Sequence, residues 1–203
     1  MLKILFSWQT LLYLFIFYGI YLREVGIIAG TFGFTFDQGR DLLAASSIAH
    51  GDFTLIGPTT GLAGVFHGPL WYFLLAIFSF VGSGNPKFIL WGVVLLYLII
   101  ELWLFFAIKK FYGLWPAIVT FGLIQVSPFF LSINGQLWSP SMVTLSMMIV
   151  SVALIYLANG RNWFWVLGFS LGVNIQFEAA GGVFVFLGII LSLILHFPPS
   201  LKR

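Results

Sequence analysis

The sequence predicts an all-α integral membrane protein of one domain, 1–203, with about six transmembrane helices and two short juxtamembrane helices in a large first outer loop. Its composition is 61% hydrophobic and only 7% charged, far from the roughly 25% charged residues of soluble domains. Apolar runs long enough to cross a bilayer recur along the chain. No alternating strand pattern accompanies them, and helices satisfy their backbone polar groups within lipid.

The expected spans follow one another with short connections. Charged, Gly, Asn or Pro residues bound each apolar run, as Arg23-Glu24 and Lys109-Lys110 illustrate. Short connections make consecutive helices antiparallel neighbours in one bundle. The predicted spans are 4–22, 88–108, 114–133, 139–158, 162–177 and 179–197.

The loop 23–87 differs from the rest of the chain. Its first part, 23–68, holds four of the six acidic residues and two of the three histidines. Within the loop, a short helix is expected at about 39–50 and a second at 69–81. A polar, acid-bearing loop between apolar spans is where ligand recognition or chemistry is expected.

Segment 69–81 decides the topology. At 1.5 Å per residue it covers roughly 20 Å, short of a hydrocarbon core of roughly 30 Å. If it does not cross and the N-terminus is cytoplasmic, six basic residues lie inside against three outside, which the positive-inside rule favours. If it crosses with the N-terminus outside, the count is seven against two. We prefer the first arrangement, in a plasma membrane, with the 23–87 loop extracytoplasmic.

Charge and cysteine content exclude several classes of function. The nine basic residues are scattered, so a nucleic-acid partner is not expected. The absence of cysteine excludes disulfides, thiolate metal sites and cysteine nucleophiles. Membrane lipid is the expected surrounding.

Four residues of the loop are candidates for the site. Asp37 either takes a proton from an acceptor at the membrane face or caps the helix that follows it. Asp41, one turn on, either shares that role or faces water. Arg40 either grips a phosphate or reaches the lipid headgroups. His67 either contacts substrate or caps a turn.

Polar residues at the outer ends of later spans are candidates for the same cavity. Glu178, with Gln176 close to it, closes the fifth span. Trp138 lies in the outer turn after the third span, where an interfacial loop explains it equally well. Glu101 is expected in the cytoplasmic half of its span, hydrogen-bonded within the bundle because a buried acid must be paired or protonated.

In order and spacing, these motifs resemble the GT-C glycosyltransferases, and within them the bacterial relatives of protein O-mannosyltransferases and aminoarabinose transferases. The resemblance covers nearly the whole chain. The matching segments are Asp37-Gln38-Gly39-Arg40, Gly51-Asp52-Phe53, His67-Gly68-Pro69-Leu70-Trp71-Tyr72, Lys109-Lys110-Phe111-Tyr112-Gly113, Ser127-Pro128 and Ile175-Gln176-Phe177-Glu178.

The resemblance implies a cell-envelope glycosylation enzyme of the GT-C fold, with this loop outside the membrane. Its donor is a sugar on a polyprenyl phosphate, its acceptor a lipid, glycan or protein, and transfer inverts the anomeric carbon. Asp37 corresponds to the base and His67 to the phosphate contact. Two departures stand out: Gln38 replaces a frequent acid, which leaves a divalent metal unsupported, and Gly68 replaces a stiff proline.

Relatives in this family have eleven or more spans, so the chain is expected to be the N-terminal half of the fold. A second hypothesis is therefore a non-catalytic subunit or truncated remnant that needs a partner polypeptide. A third is a small transporter, which the sequence favours less because it lacks an inverted repeat of broken helices.

Overall fold

The chain folds into a bundle of helices. In the computed structural model, the structure describes residues 7–179 and, farther on, 181, 183, 186–188, 190 and 191. The helices are α1 (Trp8–Ala29), α2 (Phe36–Ala49), α3 (Leu70–Val81), α4 (Pro86–Tyr112), α5 (Leu114–Val126), α6 (Pro128–Asn134), α7 (Met142–Ala158) and α8 (Phe164–Phe177), with a 3-10 turn at Ser139–Ser141 before α7.

The described residues contain three helices long and apolar enough to cross a membrane: Trp8–Ala29, Pro86–Tyr112 and Ser139–Ala158. A fourth crossing is formed if α5 and α6, bent by 62° where they meet, act as one broken span. The protein is thus a helical membrane protein with three or four such spans in this part. The expected span at 162–177 is the shorter helix α8, of 14 residues. The one at 179–197 falls largely outside the described residues.

The first span does not end at Arg23-Glu24, as the charges had suggested. Helix α1 continues to Ala29, and Gly30 ends it in a left-handed conformation (φ 70°) that glycine adopts readily. Arg23 therefore lies inside the helix, where its side chain is fully buried and paired with Glu101. An ion pair of this kind lets a charge remain within a span, so the sequence rule misplaced the boundary.

Both short helices expected in the first loop are present, and they pack extensively against each other. Helix α2 begins earlier than expected, at Phe36 rather than 39. Helix α3 has 12 residues, which at 1.5 Å per residue is about 18 Å. Its length is too short for a hydrocarbon core of roughly 30 Å.

Helix α4 is the centre of the bundle. It contacts α1, α3, α5, α6 and α7. Its fully buried residues include Leu90, Val93 and Tyr97, which pack with Trp71 and Leu75 of α3 into one hydrophobic core. This core connects the paired helices of the first loop to the spans.

A polar cluster crosses the bundle through α4. Both oxygens of Glu101 accept from the Arg23 guanidinium, at 3.3 and 2.8 Å. They also accept from the amides of Gln125 at 2.7 Å and Asn134 at 3.3 Å. The cluster, defined by these four residues, joins α1, α4, α5 and α6, and a carboxylate with this many donors can remain charged when buried. The expectation that Glu101 packs the bundle by hydrogen bonding is confirmed.

Candidate functional site

The start of α2 sets the position of Asp37. Thr35 is the N-cap, and its backbone N–H donates to Oε1 of Gln38 at 2.7 Å in a capping box. Asp37 therefore does not cap the helix; it lies in the first turn, where the helix dipole favours an acid. Gln38 thus has a local structural role, as the N3 residue of this capping box. The Asp37 side chain is 48% exposed.

Arg40 lies between two carboxylates on the same helix. Its Nη1 is 2.9 Å from Oδ1 of Asp37, and its Nη2 is 2.8 Å from Oδ1 of Asp41. The guanidinium also donates to Oγ1 of Thr59 at 2.8 Å. Its donors are thus used within the protein, and the side chain connects α2 to the loop that follows.

Asp41 faces the protein interior rather than water. Its side chain is 1% exposed, and its Oδ2 accepts from the Trp71 indole at 2.9 Å. Burial raises the pKa of Asp41, while the hydrogen bonds and charge of Arg40 and the bond from Trp71 oppose that rise. Asp41 borders the site, but its bonds make it the connection between α2 and α3.

His67 and Glu178 form the second polar pair of the site. Nε2 of His67 lies 3.5 Å from Oε2 of Glu178, and Nδ1 of His67 accepts from the backbone N–H of Ala179 at 3.4 Å. Each ring nitrogen of His67 therefore faces a group of the protein, Nδ1 the backbone N–H of Ala179 and Nε2 the carboxylate of Glu178. The imidazole then donates toward Glu178.

These two pairs face one cavity of about 360 Å³. It is bordered by α2, the loop at 58–61, the loop before α7 and the end of α8. Asp37 and Glu178 both line it, as does Trp138, whose ring is partly exposed. The other lining residues are Arg40, Asp41, Pro58, Thr59, Thr60, Gly61, His67, Ser139 and Pro140.

Gln176 is the one predicted site residue that does not line this cavity. It borders a separate apolar groove of about 470 Å³ between α3 and α8. Its side chain lies against Gly68, where an added Cβ would be 1.6 Å from Oε1 of Gln176. Glycine at 68 therefore allows this close approach, which a larger residue would block.

Sequence reasoning missed the side chains at 58–60 and Ser139. A short antiparallel pairing brings the loop back on itself, with the His67 N–H donating to the Pro58 carbonyl at 2.8 Å and a bridge between Thr59 and Phe66. The turn signal of Gly61 and Gly64 could have predicted this reversal. Ser139, whose hydroxyl donates to the Phe177 carbonyl at 2.8 Å, carried no local signal.

The residues described here do not form a metal site by their side chains. Within this part of the chain, no group of three or more His, Asp or Glu residues is close enough to hold an ion. Arg40 lies between the two aspartates of α2, so their carboxylates face a guanidinium.

The chain was also compared with models of known families, with curated proteins and with solved structures. No family model, curated protein or solved structure matches it.

Proposed function

We propose that this chain is part of a membrane glycosyltransferase that moves a sugar from a polyprenyl phosphate to an acceptor, with Asp37 as the base. The observation that carries the proposal is the common cavity, which brings Asp37, Glu178 and Trp138 to one volume of about 360 Å³. Carboxylates and an aromatic face are groups that proteins use to bind and transfer sugars.

Asp37 is the best placed carboxylate for a base. Its side chain is 48% exposed, whereas Asp41 is 1% exposed and accepts from both Trp71 and Arg40. In the proposed step, the acceptor hydroxyl gives its proton to Asp37 and its oxygen bonds to the anomeric carbon. The bond from that carbon to the phosphate oxygen breaks, and polyprenyl phosphate leaves with the electron pair.

His67 has a modified role in this proposal. The family resemblance implies a basic side chain that meets the phosphate, but Nδ1 of His67 already accepts from the backbone N–H of Ala179. His67 then offers one N–H donor, from Nε2. Glu178, 3.5 Å away, is the first group that this donor meets, and we assign Glu178 to hydroxyl groups of the sugar.

We place the cavity on the outer face of the plasma membrane, with the N-terminus in the cytoplasm. Arg23 is buried in an ion pair and no longer counts as an outer charge. The outer bases are then Arg40 and Lys87. The inner ones are Lys109, Lys110 and Arg161. This asymmetry agrees with the positive-inside rule.

A second candidate is a subunit or remnant that needs a partner polypeptide. One observation favours it: among the described residues that line the cavity, Arg40 is the only arginine or lysine, and Asp37 and Asp41 share it. A donor phosphate needs a cation that is not already neutralised. Further helices, from a partner or from a longer chain, would supply one.

Transfer of labelled sugar from a polyprenyl phosphate in membranes tests both candidates. The chain is expressed alone and together with the products of its neighbouring genes, and Asp37→Asn is the inactive control. Transfer by the chain alone supports the enzyme, and transfer only with a neighbour supports the subunit. Absence of Asp37-dependent transfer in both samples would reject the proposed function.

A further inference from the structure

The segment 134–141 carries one wall of the candidate cavity. Trp138, Ser139 and Pro140 line that wall, and Trp138 is the aromatic side chain proposed to meet the sugar. The segment begins at the last residue of α6 and ends at the 3-10 turn before α7. Its position therefore determines where the Trp138 ring lies.

Both ends of this segment bond to one face of α4. At the first end, Nδ2 of Asn134 donates to Oε1 of Glu101 at 3.3 Å. At the other end, the Tyr97 hydroxyl donates to the backbone carbonyl of Ser141 in a short hydrogen bond. Tyr97 and Glu101 are four residues apart on the helix, so they project from the same face.

Glu101 is itself held in place by other elements. Its carboxylate accepts two bonds from Arg23 of α1 and one from Gln125 of α5. All three residues are buried. A carboxylate bound to two further side chains has little freedom to change rotamer. It is a rigid attachment point for Asn134.

The broken span explains why such an attachment is needed. Pro128 begins α6 and α6 leaves α5 at 62°, since proline provides no N–H to continue the helix. Helix α6 has only seven residues, and its direction after the break depends on tertiary contacts. The bond from Asn134 to Glu101 ties the end of this short helix to the bundle.

We propose that Tyr97 and Glu101 are positioning residues. Through their hydrogen bonds to Ser141 and Asn134, they fix segment 134–141 and with it the position of the Trp138 ring in the sugar site. Ser139 adds a third attachment, to the Phe177 carbonyl beside Glu178. This bond connects segment 134–141 to the end of α8, which also borders the cavity. The role in sugar binding rests on the proposed function; the placement of the wall rests on these bonds alone.

Fluorine NMR of the full chain labelled with 5-fluorotryptophan tests the placement. The chain has eight tryptophans, and Trp138→Phe identifies the Trp138 signal. Tyr97→Phe and Asn134→Leu each remove one attachment while keeping a side chain of similar shape. Both are expected to shift or broaden the Trp138 signal and to change its quenching by a soluble paramagnetic agent.

Two matched variants separate positioning from a general loss of packing. Asn174 is, like Asn134, fully buried with an unpaired Oδ1 and one bond from Nδ2, here to Ser146. Asn174→Leu therefore removes a similar bond elsewhere in the bundle. Tyr156→Phe removes a hydroxyl from a ring stacked on Trp163. Both are expected to leave the Trp138 signal in place.

An unchanged Trp138 signal in Tyr97→Phe would overturn the proposal, as would an equal shift in Tyr156→Phe. If Asn134→Leu does not fold, Tyr97→Phe still decides, because it removes a single oxygen. The signal requires no sugar transfer. A shifted Trp138 signal, with no Asp37-dependent transfer by the chain alone or with its neighbours, would thus keep the positioning role and reject the glycosyltransferase.

Discussion

The described part of the chain contains two arginine–carboxylate clusters, which differ in exposure and in their hydrogen-bond partners. Around Arg40, the carboxylate of Asp37 is 48% exposed and lines a cavity. Around Arg23, both partners are 0% exposed, and Glu101 accepts from three side chains. The same pair of chemical groups is thus available to a ligand in one place and fully used by the protein in the other.

This difference separates chemistry from structure within one small bundle. An exposed ion pair contributes about 0–1 kcal/mol, because water and salt screen it. Breaking a buried pair costs about 3–5 kcal/mol, because one charge is left without a partner in an apolar surrounding. We therefore expect substitutions at Asp37 to affect activity and substitutions at Glu101 to affect stability.

Asp37→Asn gives the largest expected effect. The asparagine keeps the shape of the side chain and removes the base, so sugar transfer should fall about 10²- to 10⁴-fold. Stability should change little, since the side chain is half exposed and Thr35 caps the helix. Transfer from labelled polyprenyl-phosphate sugar, measured in a complete and active complex, checks the rate. Asp52→Asn, an exposed acid beyond the end of α2, is the control. Full activity in Asp37→Asn would mean that the base is another group.

Glu101→Gln should destabilise the fold by about 3–5 kcal/mol, because Arg23 keeps its buried charge without a carboxylate. Equilibrium unfolding in mixed detergent micelles measures this loss. The double variant Arg23→Met/Glu101→Met removes both charges and should recover most of the stability. If the single variant is as stable as the native chain, the cluster is hydrated and does not differ from the Arg40 cluster as described.

Trp71→Phe tests the intermediate case, in which Asp41 is buried but borders the cavity. The variant removes the indole N–H that donates to Oδ2 of Asp41, and an unpaired buried acceptor costs about 1–3 kcal/mol. Burial raises the pKa of Asp41 in the folded protein. Protonated Asp41 therefore stabilises the fold at low pH, and this stabilisation is lost as the pH rises through the folded pKa. Thermal unfolding between acidic and neutral pH should show a deficit that shrinks on acidification. A deficit independent of pH would assign the loss to packing alone.

Trp138→Ala should give the smallest of these effects. Its ring is partly exposed in the cavity, so the fold should keep its stability within about 0.5 kcal/mol. Loss of an aromatic contact of about 0.5–1.5 kcal/mol should raise KM for the donor a few-fold. Steady-state kinetics with varied donor concentration measures it, and Trp115→Ala, an exposed tryptophan on α5, is the control. An equal rise in both variants would remove Trp138 from the site.

Local sequence patterns were a good guide to the helices of the first loop. Both short helices lie within a few residues of their predicted positions, because glycine and proline residues end helices through backbone geometry. The boundaries that charges suggested were less reliable. Its charge predicts that Arg23 ends a span, but α1 continues to Ala29. A distant partner, Glu101, reduces the usual cost of burying the Arg23 charge.

Within the candidate site, residues found by their order in the chain were brought together by the fold. Asp37, Arg40, His67, Trp138 and Glu178 line one cavity, whereas Gln176, two residues from Glu178, borders another groove. Gln176 lies in the last turn of α8, whereas Glu178 follows the helix in an extended conformation, so the two side chains face different sides.

By itself, the sequence determined that this protein is helical and membrane-bound, because apolar runs without strand alternation leave the backbone no other way to pair its polar groups in lipid. It also separated the polar loop from the spans. Only the tertiary structure decided which distant charges meet: Arg23 pairs with a glutamate 78 residues away. Pairing across that distance depends on how helices pack, and no local pattern of residues encodes it.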